Sequence, residues 1–313
     1  MPNVVRYSED KKKEWNEFIA KSKNGWFLFD RGYMDYHSDR FKDLSLMFYD
    51  GNKLIAALPA NIKDDTLYSH EGLTYGGIIS DGSMKTPLML DLFGSLKKYA
   101  KDNNIKKMIY KVIPFIYHLI PAQEDLYALY RNNAKLVKRE VSSVIFQADK
   151  LDFNRRKNRY IVEALNHGLT IKETGDFEGF HDIVHHTLKE KYGREPVHSA
   201  NEMSMLAKRF PENIRLFGCF IKGKIIGGAL VYSTPRVAHI QYLFSSKEGK
   251  NLGANDLIGD YLINRKYANL PYFNFGISTE NSGLVLNDQL ISFKEEFGAR
   301  AIAIDTYEMS PDG

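Results

Sequence analysis

Two stretches of the chain share one pattern of apolar and polar positions. LSLMFYD (44–50) and KLIAALPANI (53–62) are β-rich runs separated by Gly51-Asn52, which predicts a hairpin. NIRLFGCFIKG and KIIGGALVYST (213–234) repeat the arrangement. Further strands are expected at 26–30, 72–80, 105–114, 134–147, 169–175, 237–246, 271–276 and 301–309. Each is a short run rich in Ile, Val, Tyr or Phe. Helical spacing marks 10–22, where Trp15, Phe18 and Ile19 share a face. It marks 85–103 as well, through Leu88, Leu92, Leu96 and Tyr99. Helices are also expected at 31–41, 122–133, 153–169, 177–193, 198–211 and 252–269. The segment around Lys294, between Phe293 and Phe297, reads as one more.

The two hairpins align when Lys53-Leu54-Ile55 is set on Lys224-Ile225-Ile226. Each is followed by a strand, a helix and another strand. The expectation is an α/β (α+β) chain of two copies of one module, 1–150 and 151–313. Each copy should be a mixed, mostly antiparallel sheet flanked by helices.

Composition narrows the class. Hydrophobic residues make up 43% of the 313, enough to build cores. A net charge of +4 over 43 basic and 39 acidic residues does not describe a dedicated nucleic-acid binder, and no helix-turn-helix or zinc pattern points to DNA. The one cysteine, Cys219, sits in the apolar run LFGCFI, which leaves no disulfide framework or cysteine-based zinc site. No run approaches the ~20 apolar residues of a membrane span, and the N-terminus lacks a signal-peptide core, so a cytoplasmic protein is expected.

Candidate chemistry concentrates between Pro271 and Glu308. Ser278, Thr279, Glu280, Asn281 and Asn287 cluster where the strand PYFNFG ends. Polar groups massed at the end of a buried strand are a usual place for a site. The start of the helix at 153–169 carries Arg155, Arg156, Lys157 and Arg159, either a solvated face or a phosphate contact. His181 and His185 lie at i and i+4, but no third ligand accompanies them, and no metal is expected. His239 is a core histidine or a substrate contact.

The order of elements resembles the GNAT acyltransferase module, and two in tandem resemble the FemAB (Fem/BioF2-like) branch of that superfamily. RRKNRYIVEALNHGL is similar to the basic helix opening the second module. HIQYLFSS with LGANDLIGDYLI, and above all YFNFGISTENSGLVLNDQLISFKEEFGAR, carry the rest. The resemblance implies acyl transfer to an amine. In the family's F-K motif, here Phe293-Lys294, the lysine lies close to the reacting carbonyl. It implies Lys294 as the oxyanion partner and Glu280 as base, with Asp256 second. The GNAT pyrophosphate signature Q/R-x-x-G-x-G/A falls on Lys250, Asn251, Leu252, Gly253 and Ala254, for an acyl-CoA donor such as acetyl-CoA. Arg194, His198, Tyr242, Ser278 and Asn287 are the substrate candidates. The implied acceptor is an amine of a cell-envelope or surface-polysaccharide precursor, nucleotide-linked in one form. The alternatives are an aminoacyl-tRNA-dependent peptidyltransferase and a non-catalytic binding module on the same fold. Only a short turn joins Gly168 to the next strand, where some members carry a helical arm.

Overall fold

The computed structural model describes residues 1–312, of Tyr192 the backbone only. The chain divides into two compact units. The first is Met1–Glu140 with Asn281–Leu284 and Ala303–Gly313; the second is Val141–Glu280 with Val285–Ile302.

Unit one contains β1 (Asn3–Arg6), α1 (Lys12–Lys21), α2 (Arg31–Met34), β2 (Leu46–Asp50), β3 (Lys53–Leu58), β4 (Asn61–Lys63), β5 (Thr66–Tyr68), β6 (Ile79–Ser80), α3 (Thr86–Asp102), β7 (Lys107–Lys111) and α4 (Glu124–Arg131). β1, β2, β3 and β6 form an antiparallel sheet in that order. β4 pairs antiparallel with β5, and β5 parallel with β7. The apolar stripe of α3, with Leu92, Phe93 and Leu96, closes a core containing Phe48, Leu58 and Met108.

β8 (Lys135–Phe146) leads into unit two. There follow α5 (Arg155–Asn166), β9 (Thr170–Glu173), α6 (Phe177–Tyr192), α7 (Ala200–Arg209), β10 (Ile214–Ile221), β11 (Lys224–Ser233), β12 (Val237–Ser245), α8 (Lys247–Asn251), α9 (Ala254–Tyr261), β13 (Tyr272–Ile277), β14 (Thr279–Glu280), β15 (Val285–Leu286), α10 (Asp288–Glu295) and β16 (Arg300–Met309). β9, β10, β11 and β12 run antiparallel; β13 lies parallel to β12 and antiparallel to the end of β8. Phe217, Ile258, Phe273 and Phe297 anchor its core, with Cys219 buried among them and its thiol pushed up to about 12 by burial.

Both units thus carry a hairpin followed by a parallel strand–helix–strand crossover. Several expectations change. The boundary expected at 150/151 falls at 140/141, and the C-terminal strand returns to unit one, because Thr306–Met309 of β16 pair with β7. WFLFD is a 3₁₀ turn rather than a strand: the amides of Phe29 and Asp30 bond locally to the carbonyls of Trp26 and Phe27. Of 72–80 only Ile79–Ser80 pairs, since Gly77 at φ +95 bends the chain away from a strand path. The helix expected at 252–269 starts just after Gly253, which takes φ +78 as N-cap of α9, and continues through a π-helical turn at Leu262–Lys266.

Candidate active site

The site begins where two parallel strands part. β12 and β13 pair only from Val237–Tyr272 to His239–Asn274. Immediately beyond, each strand carries an extra residue. On β12, Ile240 faces Val231 and Tyr242 faces Leu230, which leaves Gln241 unpaired. On β13, Asn274 faces Val144 and Ile277 faces Ser142, three residues spanning two. Bulges bend the strand that holds them, and these two lie at the same level of the pair. The second is locked chemically. Gly276 takes φ +76, its amide donates to Asn274 Oδ1 at 2.7 Å, and the Ser142 hydroxyl donates to the same oxygen at 2.7 Å.

The bulge presents two backbone carbonyls to one side chain. Lys294, only 5% exposed, donates from Nζ to the carbonyl of Gly276 at 2.9 Å and of Ile277 at 2.6 Å. An ammonium has three hydrogens to donate. The third finds no acceptor among the described residues, and no carboxylate pairs with the charge. Burial consequently pulls Lys294 down to about 7. Lys111 of unit one makes an instructive contrast. It too is buried, down to about 8, but it donates to three carbonyls, those of His70, Glu71 and Leu73, at 3.0, 3.2 and 2.8 Å. Its valence is filled, and it is a brace for the loop it holds. Lys294 retains a hydrogen for a further oxygen.

His239 lies beside this lysine: a Cβ on Gly276 would stand 3.5 Å from its Cε1. Burial first and the charge of Lys294 second hold the imidazole down at about 4, so it is neutral near pH 7. Ser278, next in the chain after Ile277 and 1% exposed, has a hydroxyl without a partner among the described residues. Its amide donates to Val141, and its carbonyl accepts from the amide of Asn287. Asn287 caps α10 through Leu290 and donates from Nδ2 to Glu280 Oε1 at 2.8 Å. Glu280 stands exposed in the short β14–β15 hairpin; its bonded partner is this asparagine, and no described contact joins it to Lys294.

The remaining candidates are dispersed. Tyr242 follows the β12 bulge, and its hydroxyl shares a 2.8 Å hydrogen bond with buried His198 Nδ1. Arg194 is exposed on the turn after α6. Lys250 and Asn251 are exposed at the end of α8, whereas Gly253 and Ala254 are buried beneath α5. A Cβ on Gly253 would stand 3.0 Å from the Tyr160 carbonyl and 3.4 Å from Ala164 Cβ. Asp256, in the first turn of α9, is held by Lys157 at 2.6 Å. His185 pairs with Glu195 at 2.8 Å, and no group of metal-binding side chains forms among the described residues. His239 was open between two roles in the sequence, and its pattern there gave no sign of the lysine it meets. A cavity of about 250 Å³ opens between the start of β10 and the end of β11, near Tyr267. Its cations Arg215 and Lys266 are already paired with Glu173, so it lies apart from this chemistry.

No family model and no curated protein matches the sequence. Solved structures do match over the whole chain. FemX superposes with a TM-score of 0.67 at 12% identity, covering 98% of this chain and 97% of its own. The fold is that of the FemAB-like tandem GNAT proteins. L-PGS from Bacillus licheniformis superposes with a TM-score of 0.61 at 12% identity, over 98% of this chain and 93% of that one. A tandem GNAT protein from the clavulanic acid biosynthesis pathway matches at 0.50 and 11%, over 99% of both. Among the described residues, no helix is long and apolar enough to cross a membrane.

Proposed function

We propose that the protein transfers an acyl group from an activated ester or thioester to an amine, at the opening between β12 and β13. The observation that carries this is Lys294: a buried, carboxylate-free ammonium with one hydrogen uncommitted. The amine nitrogen attacks the acyl carbon, and the carbonyl electrons move onto oxygen. That oxyanion accepts a hydrogen bond from the third Lys294 hydrogen until it collapses; the C–O or C–S bond then breaks, the attacking amine sheds its proton to solvent, and the leaving oxygen or sulfur takes one up from solvent. A positive donor already fixed in a water-poor site contributes a few kcal/mol to such a step. The ammonium needs no reorganisation, because two carbonyls already orient it.

Between donors we favour the aminoacyl ester over acetyl-CoA, and the likeness to FemX supports that choice. A CoA pyrophosphate would seat on amides at the start of α9, beside the buried Gly253. An aminoacyl-tRNA donor needs no such cradle, and the likeness to FemX and L-PGS agrees with it. The acceptor we propose is an amine of a cell-envelope precursor, a choice resting on the FemAB resemblance.

The test is a thermal-shift screen against acetyl-CoA, UDP-linked amino sugars and an aminoacyl-tRNA, with Lys294→Gln alongside. A ligand at a hundred times its Kd stabilises the native state by roughly 2.7 kcal/mol. A shift with aminoacyl-tRNA and none with acetyl-CoA is expected. A shift with acetyl-CoA alone would reverse the choice of donor, and silence from every ligand would favour a binding module on the same fold.

A further inference from the structure

α10 presents a physical difficulty. It is eight residues long, Lys294 is its one buried residue, and a helix this short is not stable in water by itself. Its N-cap, Asn287, secures one end. Something must fix its rotation, because a buried lysine delivered one rotamer away would miss both carbonyls.

That fixture comes from α5. Lys157 is 1% exposed, and its ammonium sits in the angle between two rings, 4.0 Å from the centre of Phe293 and 4.3 Å from that of Phe297. These rings flank Lys294 in sequence and meet edge to face at 5.4 Å. The same ammonium bonds Asp256 of α9 at 2.6 Å and pairs with Glu296, just past α10, at 3.3 Å. Arg156 also holds Glu296. Two cations and two carboxylates therefore balance, which is the condition for burying an ion pair without a large net cost.

We infer that Lys157 is a positioning residue for Lys294: wedged among α5, α9 and α10, its ammonium holds the two phenyl rings and so sets the direction in which α10 delivers the lysine. The basic run at the start of α5 then divides by role. Lys157 and Arg156 belong to this clamp, while Arg159 pairs within its own helix with Glu163. The inference rests on the proposed role of Lys294, but its test does not depend on turnover.

The experiment is competitive labelling of Lys294 by trace acetic anhydride between pH 5 and 10, read by peptide mass spectrometry. The native protein should show a labelling midpoint near 7. Lys157→Met alone leaves the half-buried Asp256 without its cation and risks unfolding. The working variant is therefore Lys157→Met with Asp256→Asn and Glu296→Gln, with Phe293→Leu as a second that leaves every charge paired. In both, provided melting stays cooperative, the Lys294 midpoint should rise, by roughly one pH unit or more in the triple variant, toward an ordinary lysine. Folded variants whose Lys294 midpoint stays at the native value would overturn the inference. Failure of the functional reading would look different: Lys294→Gln would keep its transfer activity, whatever the labelling shows.

Discussion

Lys294 holds its place at a thermodynamic cost, and that cost is measurable. Its folded pKa, about 7, lies below the ordinary lysine value of 10.5. Between those values the unfolded chain binds more protons than the folded one, so stability rises with pH across that window. Below about 7 both states are protonated and the full burial penalty is present. We expect the native protein to gain up to a few kcal/mol relative to Lys294→Met between pH 7 and 10, read from denaturant midpoints at matched ionic strength. Lys111 titrates in the same window but is common to both proteins, so the difference isolates Lys294. A pH-independent difference would mean that this lysine is not buried as a cation. At this scale the F-K motif singled out Lys294, which the structure buries against two bulge carbonyls. Glu280 and Arg194 were chosen for chemical type and position, and side-chain type does not reveal which group will face solvent. Lys157 looked like one charge in a basic run, because a partner such as Asp256 lies 99 residues away in the chain.

The paired bulges are what set this β-α-β crossover apart as a candidate site. Strand periodicity located β12 and β13 closely, but a bulge is a register shift against a neighbour and leaves little trace in either strand alone. Gly276 was the visible mark on β13. Gly276→Ala would force an L-residue to φ +76, a conformation costing about 1–2 kcal/mol. The added methyl would meet nothing closer than His239 Cε1 at 3.5 Å. We therefore expect a modest loss of stability, visible as a lower denaturant midpoint, with a larger loss of ligand-induced stabilisation as the bulge relaxes and its carbonyls turn from Lys294. Equal losses in both would argue that the bulge serves folding alone. The β14–β15 hairpin went unread because two-residue strands carry no periodic signal.

The internal repeat was readable for the whole molecule because it rests on element order, which survives where identity does not. What the repeat concealed was the last strand. Counting elements assigns it to the second module, yet pairing with β7 and the buried Met309 tie its end to the first. Removing residues 303–313 should therefore destabilise unit one more than unit two, with hydrogen exchange accelerating in β7 and α3 before β10 and β11. The reverse order would contradict that assignment. Lys294 is proposed to stabilise the acyl oxygen during transfer to an amine. The most direct test is transfer of a radiolabelled aminoacyl or acetyl group to amine-bearing cell-envelope precursors by the native protein and by Lys294→Gln. Loss of one such donor lowers kcat by about 10²–10³, and that fall, in a variant that remains folded and binds the same donor, is the result expected. Transfer at equal rates in both proteins would contradict the account.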